Sequence, residues 1–164
     1  MLAEQEEELR SVLGSPNSYE SQEPSPSTFD AGGVLFGFHQ GLTNTHFHPT
    51  QWQALQLWQT FLNNVDLVVK VLHVPTVQED IYAGINNHNC ADDLNALLFA
   101  IYFAATTSLS RSTAENLLGQ EKGEALNSYK RGLEYSLSKC NFLNSPSMKS
   151  LQAMTIYIVS DFKL

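Results

Sequence analysis

The chain has 164 residues, enough for one domain with a core of ordinary size; 43% of them are apolar and only 16% are charged, below the usual quarter or so. It carries a net charge of −8, and residues 1–30, with seven carboxylates against Arg10 alone, hold six of those eight charges. Nine lysines and arginines, scattered singly except at Lys130–Arg131, make no basic face for phosphates, which speaks against direct nucleic-acid binding.

In chain order, Glu4 to Leu13 reads as a short charged helix ending at Gly14. The start of the chain is acidic and lacks the apolar core of a signal peptide, which points to an intracellular, soluble protein. Ser15 to Asp30 is rich in Ser, Pro and acid and has little to bury, so residues 1–30 are expected to be a flexible segment. A partial all-helical domain is expected over 31–164, its ordered part beginning at His48–Pro49–Thr50. Gly32 to Gly41 mixes glycine with apolar residues and is assigned no regular structure.

Thr50 can cap a helix whose apolar stripe is Trp52, Leu55, Trp58 or Gln59, Leu62, Val65, Val69 and Leu72; Pro75 stops it. Thr76-Val77-Gln78-Glu79 is a capping box opening a helix to about Asn87. Asp92 or Asp93 caps a helix over Leu94 to Leu109 that is apolar all round, as a central helix would be. The longest apolar run, Leu94 to Ala105, is interrupted by Asn95 and is too short to span a bilayer.

Ser112-Thr113-Ala114-Glu115 is a second capping box, for a short helix ending at Gly119. Lys122 to Cys140 follows, with Ala125, Tyr129, Leu133, Leu137 and Cys140 on one face. Ser145–Pro146 reads as an N-cap and first residue of a last helix from Ser147 towards Phe162. With no period-two alternation, the fold class is all-α, a multi-helix array. The apolar stretch Ile156 to Val159 lies close to Leu164, so the array reads as part of a larger fold, with apolar surface near Ile156 to Phe162 left for a partner.

The chemistry-bearing residues form no constellation. His39, His46, His48, His73 and His88 read as surface histidines, not as a metal set. Cys90 and Cys140 lack CxxC partners and read as reduced core residues. Asp92–Asp93 lacks the further acid of a diphosphate-binding motif, since position 96 is Ala96. Gly32–Gly33 to Gly37 is not a nucleotide loop, and GxSxG is absent. The aromatics Trp52, Trp58, Phe61, Phe99, Tyr102 and Phe103 are core first and a ligand pocket second. Lys70 is expected to reach out of an apolar neighbourhood to water. No catalytic, cofactor-binding or metal residue is assigned, and the chain is not expected to be an enzyme.

Three stretches carry a resemblance. Leu57-Trp58-Gln59-Thr60-Phe61-Leu62-Asn63-Asn64-Val65-Asp66 leads to Lys70-Val71-Leu72-His73-Val74-Pro75-Thr76. Leu97 to Ala105 is an apolar helix. Tyr129-Lys130-Arg131, Asn141 to Pro146 and Leu151-Gln152-Ala153 complete the set, and His48–Pro49 precedes it. Together, over about residues 30 to 162, they resemble the regulatory "middle homology" domain of fungal zinc binuclear cluster transcription factors. The chain departs from that pattern at Leu67, where a proline is usual, a change expected to lengthen the first helix.

The family reads DNA through an N-terminal six-cysteine module that holds zinc, followed by a basic linker. Residues 1–30 contain no cysteine and one arginine. The resemblance therefore implies a partial regulatory domain, the front of a larger one, without a cofactor in this chain. It further implies a nuclear role, protein partners or a homodimer, a small-molecule effector in some members, and DNA contact only through the zinc module. A stand-alone helical interaction module is the alternative.

Overall fold

The computed structural model describes residues 46–87 and 89–162, and among these every regular element is a helix. The expected helix at Glu4 to Leu13, the 1–30 segment and Gly32 to Gly41 lie outside the described residues.

Helix α1, Gln51–Asn64, opens with a capping box: the Thr50 hydroxyl accepts from the Gln53 amide, and the Gln53 side chain accepts from the Thr50 amide at 3.0 Å. Its buried face is Ala54, Leu57, Trp58 and Phe61, continued by Val65. This corrects the stripe expected from Trp52, Leu55 and Leu62: Trp52 is 61% exposed. Both faces have helical spacing, and the small Ala54 lets the other one approach the core. The helix stops at Asn64 and a turn spans 65–68, so Leu67 does not lengthen it. In that turn the buried Asp66 pairs with Lys70, whose side chain is mostly exposed, as expected of a lysine reaching water.

Helix α2, Val74–Asn86, starts earlier than expected. His73 is its N-cap residue and Pro75 sits in the first turn, where no amide donor is needed. Thr76 therefore caps nothing as N-cap; its hydroxyl lies 2.6 Å from His73 Nδ1.

Helix α3, Asp92–Ser108, is the centre of the array. Residues 94 to 106 are all buried, and α1, α2, α5 and α6 pack around it. The polar interruption at Asn95 is satisfied locally: its Nδ2 donates to Cys90 O at 3.1 Å, and its Oδ1 accepts from the Cys90 thiol at 3.1 Å. Asp92 and Asp93 occupy the first turn after Ala91 and do not serve as N-caps. There they complement the positive end of the helix. At the other end, Lys122 Nζ donates to Thr107 O at 3.1 Å and Leu109 O at 2.6 Å, covering carbonyls left open where the helix stops.

Helix α4, Arg111–Leu118, is capped by Ser110, two residues before the expected box, and ends at Gly119 with φ of 70°. Helix α5, Lys122–Lys139, buries Ala125, Tyr129, Gly132, Leu133, Ser136 and Leu137; Cys140 is its C-cap. Helix α6, Met148–Asp161, is capped by Ser147, whose box partner is Ser150. Pro146 thus lies before the cap, and Ser145 is not the N-cap.

Candidate functional site

The residues that could carry chemistry are dispersed. His46 is exposed, whereas His48 is half-buried with its ring 4.3 Å from that of Phe99, so it is not the surface histidine expected. His73 is engaged with Thr76; His39 and His88 lie outside the described residues. Among the described residues no group of three or more His, Cys, Asp or Glu is placed to hold a metal ion.

Cys90 and Cys140 are free, half-buried thiols. Burial pushes both up from their ordinary value, and the Asp92 and Asp93 charges add to this in each case. A nucleophilic cysteine needs the opposite, an electropositive setting that favours the thiolate. Asp92 is itself raised by burial, against the pull of Lys139.

The aromatics form core. Trp58 stacks on Phe61 at 5.9 Å, Tyr102 contacts Tyr129 at 5.7 Å, and Phe103 meets Tyr157 edge-on at 5.4 Å. Trp52 stands outside this group on the outer face of α1. A cavity of about 210 Å³ lies between Asn64, Val65, Ala104, Thr107, Ser108 and Ser160. It is smaller than the ~300–1,000 Å³ usual for drug-sized ligands. Its hydroxyls are spent on their own helices: Thr107 donates to Phe103 O, Ser108 to Ala105 O and Ser160 to Ile156 O.

What the fold does present is surface. On α6, Ser150, Ala153, Ile156 and Ser160 face the core, while Met148, Leu151, Thr155 and Ile158, continued by Phe162, face away. Met148 and Phe162 are 71% and 83% exposed. A helix apolar on opposite sides has two contacts to make, and α3 supplies one. This second face left no chemical motif in the sequence; its signal is the spacing of three and four from Met148 to Phe162. No helix among the described residues is long and apolar enough to cross a membrane.

The chain is 36% identical over 128 residues to the aurofusarin cluster transcription factor of Gibberella zeae, covering 77% of this chain and 19% of that protein. It is 34% identical over 151 residues to the transcriptional regulator nsrM of Aspergillus novofumigatus, covering 90% and 21%. A C6 finger domain transcription factor of Arthroderma gypseum is 37% identical over 112 residues, covering 65% and 16%. No family model and no solved structure matches. The chain spans about a fifth of the length of the first two relatives. It belongs with the fungal C6 zinc-cluster transcription factors, as a stretch equivalent to a part of such a protein.

Proposed function

We propose that the chain serves transcription regulation in the nucleus as part of a regulatory domain of the zinc-cluster type, acting through protein contacts. One observation carries the reading: proteins named as transcription regulators match it along most of its length, 90% of it in one case. The helical array suits such a role, because its exposed apolar residues sit on helix faces and in turns instead of lining a reaction cavity.

The zinc module of the family does not fit the residues present. Six thiolates hold its metal, and this sequence has two cysteines, on separate elements and with raised pKa. DNA contact by this chain is accordingly not part of the proposal. Nor do the scattered lysines and arginines provide the phosphate footprint that such contact needs.

The test joins the whole chain to an unrelated sequence-specific DNA-binding module upstream of a reporter. Output should change relative to that module alone, while the unfused chain gives no gel shift on mixed duplex DNA at low salt. Unchanged reporter output would remove the reading; a salt-sensitive shift would remove the statement about DNA.

A further inference from the structure

We propose that the cavity where α1, α3 and α6 end is a binding site for a short primary alkylammonium ion. The proposal rests on the lining of that cavity and not on the regulatory role.

Three helices bring their last turns to this cavity of about 210 Å³: Asn64 closes α1, Thr107 and Ser108 close α3, and Ser160 is the penultimate residue of α6. The last carbonyls of a helix have no intrahelical partner and form the negative end of its dipole. Such an end favours a cation, yet none of the three helices has a basic residue in its own last turn. The molecule answers this at one of them: Lys122 Nζ donates to Thr107 O and Leu109 O at the end of α3. Among the described residues no lysine or arginine does the same for α1 or α6.

The lining side chains carry the same sign of preference. A hydroxyl has one proton and two lone pairs. Thr107 gives its proton to Phe103 O at 2.9 Å, Ser108 to Ala105 O at 2.7 Å and Ser160 to Ile156 O at 2.7 Å. Each oxygen is left with lone pairs alone to offer. Asn64 donates one amide hydrogen to Ser108 Oγ at 3.1 Å, so its second amide hydrogen is the one donor remaining among these side chains. A ligand here must bring the donors.

Shape selects among donors. Asn64 and Ser108 are exposed and form the mouth, while Val65, Ala104 and Ser160 are buried beneath. Val65 and Ala104 give an apolar wall for a stem of a few carbons. An ammonium head brings three donors and a positive charge. An anion would meet lone pairs and three negative helix ends, and a neutral alcohol brings one donor. A divalent metal ion would call for carboxylate ligands, which no lining residue carries. With so few ligand atoms the affinity is modest, a dissociation constant of about 1 mM.

The test is amide-resolved NMR of the whole isotope-labelled chain at neutral pH, with n-butylammonium chloride replacing sodium chloride at constant ionic strength. The amides of Thr107, Ser108 and Ser160 should shift and saturate by about 30 mM. Tetramethylammonium, which has the charge and no donor, should give no saturable shift, and neither should potassium or 1-butanol. Asn64→Lys, its helicity checked by circular dichroism, sets a tethered ammonium at the mouth and should weaken n-butylammonium about tenfold. Ser108→Lys serves in its place should Asn64→Lys not fold. Absence of saturation overturns the proposal. So does an equal response to tetramethylammonium or potassium, which would mark charge alone, or to 1-butanol, which would mark an apolar hole. Binding undiminished in the folded lysine variant also overturns it, because the ligand would then sit elsewhere.

Discussion

Gly132 of α5 lies directly against the ring of Phe99 of α3: a Cβ added at Gly132 would stand 2.7 Å from Phe99 Cε1 and Cζ. Phe99 is fully buried and also holds the half-buried His48 ring at 4.3 Å, so the ring cannot swing away freely. The close approach of α5 to the central helix depends on that missing methyl group.

Three glycine-to-alanine changes should consequently behave differently. Gly132→Ala forces a buried ring and two helices apart, a strain of ~1–3 kcal/mol that outweighs the gain of up to ~1 kcal/mol in helix propensity. Gly84→Ala meets Leu98 Cδ1 at 2.8 Å, the far end of a flexible side chain, and should be close to neutral. Gly123→Ala meets nothing and should stabilise by about 0.5 kcal/mol. Urea midpoints of the three variants, in the order 132 below 84 below 123, check the ranking.

The same contact shows how far the sequence was readable. The order of helices over the described residues followed from apolar spacing and caps, and the all-buried α3 was legible because it has no polar face. Helix starts were less so. Ser and Thr cluster at the starts of α4 and α6, and the residue whose hydroxyl actually caps, Ser110 or Ser147, is separated from its rivals by a geometry that composition does not encode. The buried side of α1 differs from the expected one because that helix offers two apolar stripes, and the one with Ala54 packs closer. The α6 surface was visible only as an apolar region, since exposure of Met148 and Phe162 depends on which face α3 takes.

The link between Lys122 and the end of α3 yields a second prediction. Its ammonium bonds two carbonyls, Thr107 O and Leu109 O, at the negative end of the helix dipole. Lys122→Met keeps most of the stem and removes both bonds, so it should cost about 1–2 kcal/mol. Lys122→Arg should recover part of this. The unfolding free energies of both variants at low and moderate salt decide it; equal stability for Met and Lys would contradict the capping role.

The hydroxyl caps give a third. Thr50→Ala and Ser147→Ala each remove the acceptor of a capping box and should each lower stability by ~1 kcal/mol. Ser145→Ala, at the residue that precedes Pro146 and caps nothing, should have no measurable effect. Thermal unfolding followed at 222 nm distinguishes the two boxes from the bystander.

Alkaline pH should reveal the buried tyrosines. Burial raises Tyr102 and Tyr129 well above the ordinary phenol value, and the two rings reinforce each other at Tyr102. The sign follows from linkage. A folded-state value above the unfolded one favours the neutral phenol in the native protein. Its contribution is fully present below the unfolded value, near pH ~10, and is lost as pH rises beyond it. The raised thiols of Cys90 and Cys140 act in the same direction from about pH 8.5. Stability should therefore fall progressively above that pH, and the phenolate absorbance of Tyr102 and Tyr129 should appear together with loss of helix. Tyr102 adds a further handle, because its hydroxyl is buried with no hydrogen-bond partner among the described residues. Tyr102→Phe removes that unsatisfied group and should stabilise the fold at neutral pH by about 1 kcal/mol, and by more above pH ~10. A Tyr102→Phe variant less stable than the parent at both pH values would show that the hydroxyl is engaged in the native protein.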